Sequence, residues 1–117
     1  MVKFLKRFWS LFSKRRDTWY PAYLFKDSVT VSIRGNRHIT IEIVCEVLFN
    51  QQQGTWAARI RELGLTGYGT NNALAITKVR LMLASLVQAH EMNGTLERFL
   101  EAARVNWRWS NTGIKGA

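Results

Sequence analysis

Ile39-Thr40-Ile41-Glu42-Ile43-Val44-Cys45-Glu46-Val47-Leu48-Phe49 is the stretch on which the fold class turns. Ile39, Ile41, Ile43, Cys45, Val47 and Phe49 alternate with a set that includes Thr40, Glu42 and Glu46. Period two held over that length is the pattern of a strand with one side in a core. Upstream, Val29, Val31 and Ile33 alternate in the same way, and Arg34-Gly35-Asn36-Arg37 between the two runs reads as a turn. A two-residue Gly35-Asn36 loop would set Val31 against Thr40, an apolar face against a polar one. Pairing Ile33 with Ile39, Val31 with Ile41 and Val29 with Ile43 across a Gly35-Asn36-Arg37 loop keeps the apolar faces together, and is the expected register. A further strand around Trp19 to Phe25 contains Pro21, which confines it to a sheet edge. These three strands predict an antiparallel meander.

On either side of the strands the period changes to that of a helix. In residues 2–14, Val2, Phe4, Leu5, Phe8, Trp9, Leu11 and Phe12 fall on one half of a helical wheel. Lys3, Lys6, Arg7, Ser10, Ser13 and Lys14 fall on the other. Downstream, Thr55 is a cap for a short helix whose Trp56, Ile60 and Leu63 share a face and which Gly64 ends. Thr70 or Asn71 caps a long helix to about Met92, with Ala75, Ile76, Val79, Met82, Leu83, Leu86 and Val87 as its apolar stripe. Asn93-Gly94 stops it, and Thr95 caps a last helix with Leu96, Phe99, Leu100, Ala103 and Trp107 inward. The expected fold is α+β: an N-terminal amphipathic helix, a three-stranded antiparallel meander, then three helices. Residues 1–16 form a basic arm, 17–109 a single globular domain, and 110–117 a frayed tail.

The 117 residues fit one domain, and a hydrophobic fraction of 47% with 12% aromatics suffices for a core. Cys45 is the only cysteine, so no internal disulfide forms, which suits a reducing, cytoplasmic setting. Apolar runs fall far short of the ~20 residues that span a bilayer. Lys6 and Arg7 interrupt any secretory apolar block. Seventeen basic residues against 8 acidic ones give a net charge of +9. Lys3, Lys6, Arg7, Lys14, Arg15 and Arg16, with no acid among residues 1–16, hold most of that excess.

Catalytic material is sparse. His38 lies beside the turn, and His90 falls in the long helix's apolar stripe, where a core role is expected. Cys45 points with Ile43 and Val47 and reads as packing. No Cys/His cluster has metal-ligand spacing. Glu42 with Glu46, and Glu97 with Glu101, read as solvated faces. The expectation is a protein that is not an enzyme and uses no metal, cofactor or small-molecule substrate.

One stretch stands out: Leu65-Thr66-Gly67-Tyr68-Gly69-Thr70-Asn71-Asn72-Ala73-Leu74-Ala75-Ile76. It resembles the hairpin of the helix-hairpin-helix family, an apolar-x-Gly-apolar-Gly-x-x-x-Ala-x-x-apolar pattern, over residues 55–80. It departs at Thr66, where proline is usual, and at Glu62, where an apolar residue is preferred. The resemblance implies two helices flanking a turn whose backbone N–H groups hold a nucleic-acid phosphate without reading sequence. Gly67, Gly69, Thr70 and Asn71 would make that grip, with Lys78 and Arg80 adding charge. Independently, two glycines before a helix N-terminus let backbone donors approach an anion. The other reading is a glycine-rich connector between capped helices. A nucleotide P-loop fits less well, because no lysine follows the last glycine.

Trp107-Arg108-Trp109 reads either as a stacking platform for single strands or as core and surface aromatics. The arm fits an interfacial membrane helix, a helix docking on an acidic protein, a cover for its own domain's sheet, or an organelle transit peptide. The leading expectation is a nucleic-acid-binding accessory protein that grips phosphates through Gly67–Asn72 and the basic arm. An interaction or inhibitor protein docking on an acidic partner, and a peripheral membrane protein held by residues 2–14, are the alternatives.

Overall fold

A computed structural model describes residues 18–111. The expected helix over residues 2–14 and its arginines and lysines lie outside this range. The described chain runs β1 (Tyr20–Ile33), β2 (Arg37–Asn50), β3 (Thr55–Ile60), a 3-10 turn (Arg61–Leu63), β4 (Leu65–Gly69), α1 (Asn72–Met92), α2 (Leu96–Ala103) and β5 (Asn106–Asn111). The sheet is antiparallel, ordered β1-β2-β3-β4. β5 pairs with the first half of β2 on the side where β3 takes the second half.

Several expectations are corrected. The runs Trp19–Phe25 and Val29–Ile33 are one strand, because Lys26, Asp27 and Ser28 do not turn but pair with Val44, Ile43 and Glu42. Pro21 does sit in an edge strand, next to an irregularity between Pro21 and Tyr23. The β1–β2 register is two residues from the expected one, with Val29 opposite Ile41, Val31 opposite Ile39 and Thr30 opposite Thr40. A slip of two leaves every side chain on its own face, so apolar still meets apolar. The loop is Arg34-Gly35-Asn36, where Gly35 and Asn36 take φ of 73° and 62°, the left-handed turn that glycine and asparagine tolerate.

The short helix expected from Thr55 is strand β3 followed by one 3-10 turn. Trp56, Ala58 and Ile60 fit period two as well as Trp56 and Ile60 fit a helical face. Beside them β2 offers a free edge from Glu46 to Asn50. Gly54, at φ 63°, closes the turn between β2 and β3. The meander therefore has four strands, and two helices follow it instead of three. The last helix ends at Ala103 with Arg104 left-handed, and residues 106–111 return to the sheet as β5.

One face of the sheet makes the core. Ile39, Ile41, Ile43, Cys45 and Val47 of β2 cluster with Val29 and Val31 of β1, Ala58 and Ile60 of β3, and Ala75, Val79, Leu83 and Val87 of α1. Leu96 and Leu100 of α2 and Val105 complete it, with Trp107 and Trp109 packed against it. The long helix begins where expected: the Asn71 side chain accepts the Leu74 N–H at 2.9 Å. It stops at Asn93-Gly94, where the Thr95 N–H reaches back to the His90 carbonyl at 2.9 Å. His90 is half-buried, its Nδ1 2.7 Å from Thr95 Oγ1 and its ring stacked on Phe99.

Candidate nucleic-acid interface

The glycines of the hairpin-like stretch serve packing. Gly67 and Gly69 lie on β4 and face α1. A Cβ on Gly67 would stand 2.6 Å from the Val79 nitrogen and 2.8 Å from the Ala75 oxygen. One on Gly69 would stand 2.7 Å from both the Ala75 nitrogen and the Leu74 Cβ. Only hydrogen fits there, which is why helix backbone rides directly on strand backbone. The space a phosphate would need beside Gly67 is filled by α1. Before the stretch comes a strand and a 3-10 turn, not a helix, so the frame of two flanking helices is absent.

The remaining expected residues scatter. Thr70 and Asn71 are exposed at the start of α1, with the Asn71 side chain already engaged as the cap. Lys78 is exposed. Arg80 is half-buried and donates to the Asp27 carboxylate. Lys3, Lys6, Arg7, Lys14, Arg15 and Arg16 fall outside the described residues. Burial pushes the Cys45 thiol up, with Asp27 adding to it, so the thiol stays protonated and suits packing, not nucleophilic attack. Trp107 and Trp109 face the core, the latter with its indole N–H on Glu97 at 2.9 Å and the Arg37 guanidinium over its ring. Arg108 points to the opposite face and pairs with Glu42.

That opposite face is the feature sequence reading passed over. Among the described residues the helices pack on one side of the sheet, and the alternate residues of each strand line the other. Across β1 and β2 the rows run Ser32–His38, Thr30–Thr40, Ser28–Glu42, Lys26–Val44 and Leu24–Glu46. β5 extends them with Ser110, Arg108 and Asn106, and β3 and β4 with Arg59 and Thr66. Hydroxyls pair in place: Thr30 Oγ1 and Thr40 Oγ1 are 2.9 Å apart, and Ser32 Oγ and His38 Nδ1 are 3.2 Å apart.

At the four-stranded end the face turns aromatic and basic. Tyr68 of β4 is 52% exposed, and the Trp19 ring lies 5.9 Å from it. Arg59 is diagonal to Tyr68, since Ala57 pairs with Tyr68 and Arg59 with Thr66. Arg59 donates to Glu46 Oε1 through Nε at 3.1 Å and Nη2 at 2.8 Å, and Arg61 adds a third bond at 3.1 Å. These bonds, led by that from Arg59, hold the Glu46 carboxyl below the usual carboxylate range. One carboxylate thus fixes two guanidiniums in place and offsets only one of their charges. Lys26, also exposed, stands one row along. On β1 and β2 the signal was present as the alternate partners of the apolar positions, but reading Thr55–Leu63 as a helix took Arg59 out of the sheet, and reading Leu65–Ile76 as a hairpin-like connector took Tyr68 out of it.

Compared with protein-family models, with curated proteins and with solved structures, the chain shows no match.

Proposed function

We propose that this is a non-catalytic nucleic-acid-binding accessory protein that takes a single strand across the open face of its sheet. The observation that carries this reading is the half-exposed Tyr68 ring, backed by Trp19 and diagonal to Arg59, on a face no described element covers. A sheet presenting an aromatic ring among basic side chains stacks an unpaired base on the ring and meets the adjoining phosphates with the cations. Arg61 and Arg108, whose side chains are largely exposed, and Lys26 supply those cations. The hydroxyls of Ser28, Thr30 and Ser32 supply donors along the remaining rows. The arm's six basic residues add attraction that does not distinguish one nucleic acid from another.

The test is fluorescence anisotropy with labelled single-stranded DNA, single-stranded RNA and duplex DNA over a salt series, using the full chain and the chain without residues 1–16. Single strands should bind more tightly than duplex, and binding should survive removal of the arm. Tyr68→Ala should weaken single-strand binding by roughly 5- to 150-fold, the equivalent of ~1–3 kcal/mol for one stacked base. Arg61→Ala should lower the salt slope by about 0.7. Equal affinity for duplex and single strand, lost on removing residues 1–16, would assign all binding to the arm and refute the sheet-face reading.

A further inference from the structure

The sheet is interrupted on one side of β2. β5 pairs with β2 as far as Glu42 and β3 takes over at Glu46, so Ile43, Val44 and Cys45 have no strand beside them on that side. Over this break, on the open face, lies a bowl of about 580 Å³, within the ~300–1,000 Å³ of small-ligand sites. Its floor is Val44, 39% exposed. Lys26, Glu42, Glu62, Arg104 and Asn106, all exposed, stand around it. The charged groups of this rim are uncommitted. Lys26, Glu62 and Arg104 make no ion pair among the described residues, and Glu42 reaches Arg108 only at 3.6 Å. Glu46, by contrast, is held by bonds from both Arg59 and Arg61. Carboxylates and cations that line one bowl without closing on each other leave room for a ligand between them. Arg104 adds a second sign. It takes φ 61°, a left-handed conformation that suits glycine, so a cation is held at this rim against backbone strain.

We propose that the bowl takes one base of the bound strand, and that the base is guanine; this rests on the reading of the open face as a single-strand site. Two carboxylates on the rim repel a phosphate, so the backbone is not what enters. Phosphates are met on either side of the break, by Arg61 beside Glu46 and by Arg108 of β5. The apolar floor suits the flat face of a base, and the polar rim suits its edge. Ionised carboxylates only accept hydrogen bonds, so they select a ligand that donates. Adenine and cytosine offer a single amine, and thymine a single ring N–H. Guanine offers N1–H and the N2 amine side by side, which meet both oxygens of one carboxylate, with O6 next to them as an acceptor for a cation. Glu62 and Glu42 are the carboxylates for the two donors, and Lys26 and Arg104 the cations for O6.

The test titrates the full-length protein, by fluorescence anisotropy, into a labelled oligothymidine carrying one central guanine, adenine, cytosine or hypoxanthine, beside the all-thymidine strand. One guanine should tighten binding roughly 5- to 150-fold over the other DNA bases, the discrimination of one two-bond contact. Hypoxanthine, which lacks the N2 amine, should lose most of that gain. Glu42→Gln combined with Glu62→Gln, both at exposed positions, should still bind the all-thymidine strand and show no preference for guanine. In ¹⁵N-labelled protein, guanosine 5′-monophosphate should shift the amides of Val44 and Asn106 more than cytidine 5′-monophosphate does. Equal affinity for every strand, or a guanine preference that survives in the double variant, would overturn the inference and leave single-strand binding standing. If no strand binds, the reading of the open face fails and the mononucleotide titration decides the bowl alone: larger shifts with guanosine 5′-monophosphate uphold it, and equal or absent shifts overturn it.

Discussion

Val44 and Val47 stand three residues apart on β2 and face opposite sides of one sheet. Val47 is 0% exposed beneath α1, and Val44 is 39% exposed on the open side. The same contrast recurs on β1 and β4, but not on β3, where the outward Ala57 is buried as well. Ile41 and Ile43 are buried where Glu42 is exposed, and Gly67 is pressed against helix backbone where Tyr68 stands half in water. Neighbours in the chain therefore answer to different constraints. The inner residues are set by packing density, which fixes their volume to within a methyl group. Most of the outer ones, Thr40 and Ala57 apart, are free of that constraint, and hydroxyls, cations and an aromatic ring are among their occupants.

The sharpest break of this contrast is at Gly67. Gly67→Val puts a branched side chain where a Cβ already meets the Val79 nitrogen at 2.6 Å. It should destabilise by about 3 kcal/mol or more, because backbone atoms of α1 and not a flexible side chain must give way. Thr66→Val, one residue earlier and facing out, should change stability by less than ~1 kcal/mol. Urea denaturation of the two variants decides it, and equal losses would mean that α1 does not rest on β4 as described.

A milder form of the same comparison uses the valines. Val47→Ala should cost about 2 kcal/mol, from two buried methyl groups and the space they leave. Val44→Ala should cost well under 1 kcal/mol. Thermal melting of the pair reads the difference directly, and comparable shifts would show that something covers the outer face as closely as α1 covers the inner.

The smallest expected effect tests the outer face's own cohesion. Glu46 has its pKa lowered by Arg59 and, less strongly, Arg61. A carboxylate whose folded pKa is depressed stabilises the fold fully above its unfolded value of ~4.3, and that contribution is lost as pH falls through the folded value. The stability gap between the wild-type chain and Glu46→Gln should therefore be constant near neutrality. It should close as the solution is acidified past the ordinary carboxylate range. A gap that does not change with pH would mean the guanidiniums are not held by this charge.

Much of this architecture was legible in the residues. Six apolar residues at strict alternation from Ile39 to Phe49 admit no helix, and the Asn71 cap, the Ala75–Val79–Leu83–Val87 row and the Asn93-Gly94 stop mark α1 at both ends. Long periodic segments average over many positions, so a strand and a helix give distinguishable patterns. Cys45 as core packing and Pro21 on an edge strand follow from the same alternation. The candidate interface was not legible, because it depends on two segments whose periods are ambiguous. Trp56 and Ile60 are four apart and also two steps of a strand apart through Ala58, and Trp107, read as the end of a helical face, instead lies on β5 with Trp109 on the same side.

By itself, then, the sequence determined the inward faces of Val29–Ile33 and Ile39–Phe49, the extent of α1 and the placement of most positive charge in residues 1–16. The tertiary structure alone decided that residues 55–60 and 106–111 are strands and that Gly67 and Gly69 make room for a helix. The reason is energetic. A six-residue segment has too few positions for its own propensity to choose between helix and strand, whereas β2 leaves unpaired N–H and C=O groups along one edge. Burying that edge beneath α1 and α2 requires partners for those groups, and β3 and β5 supply them.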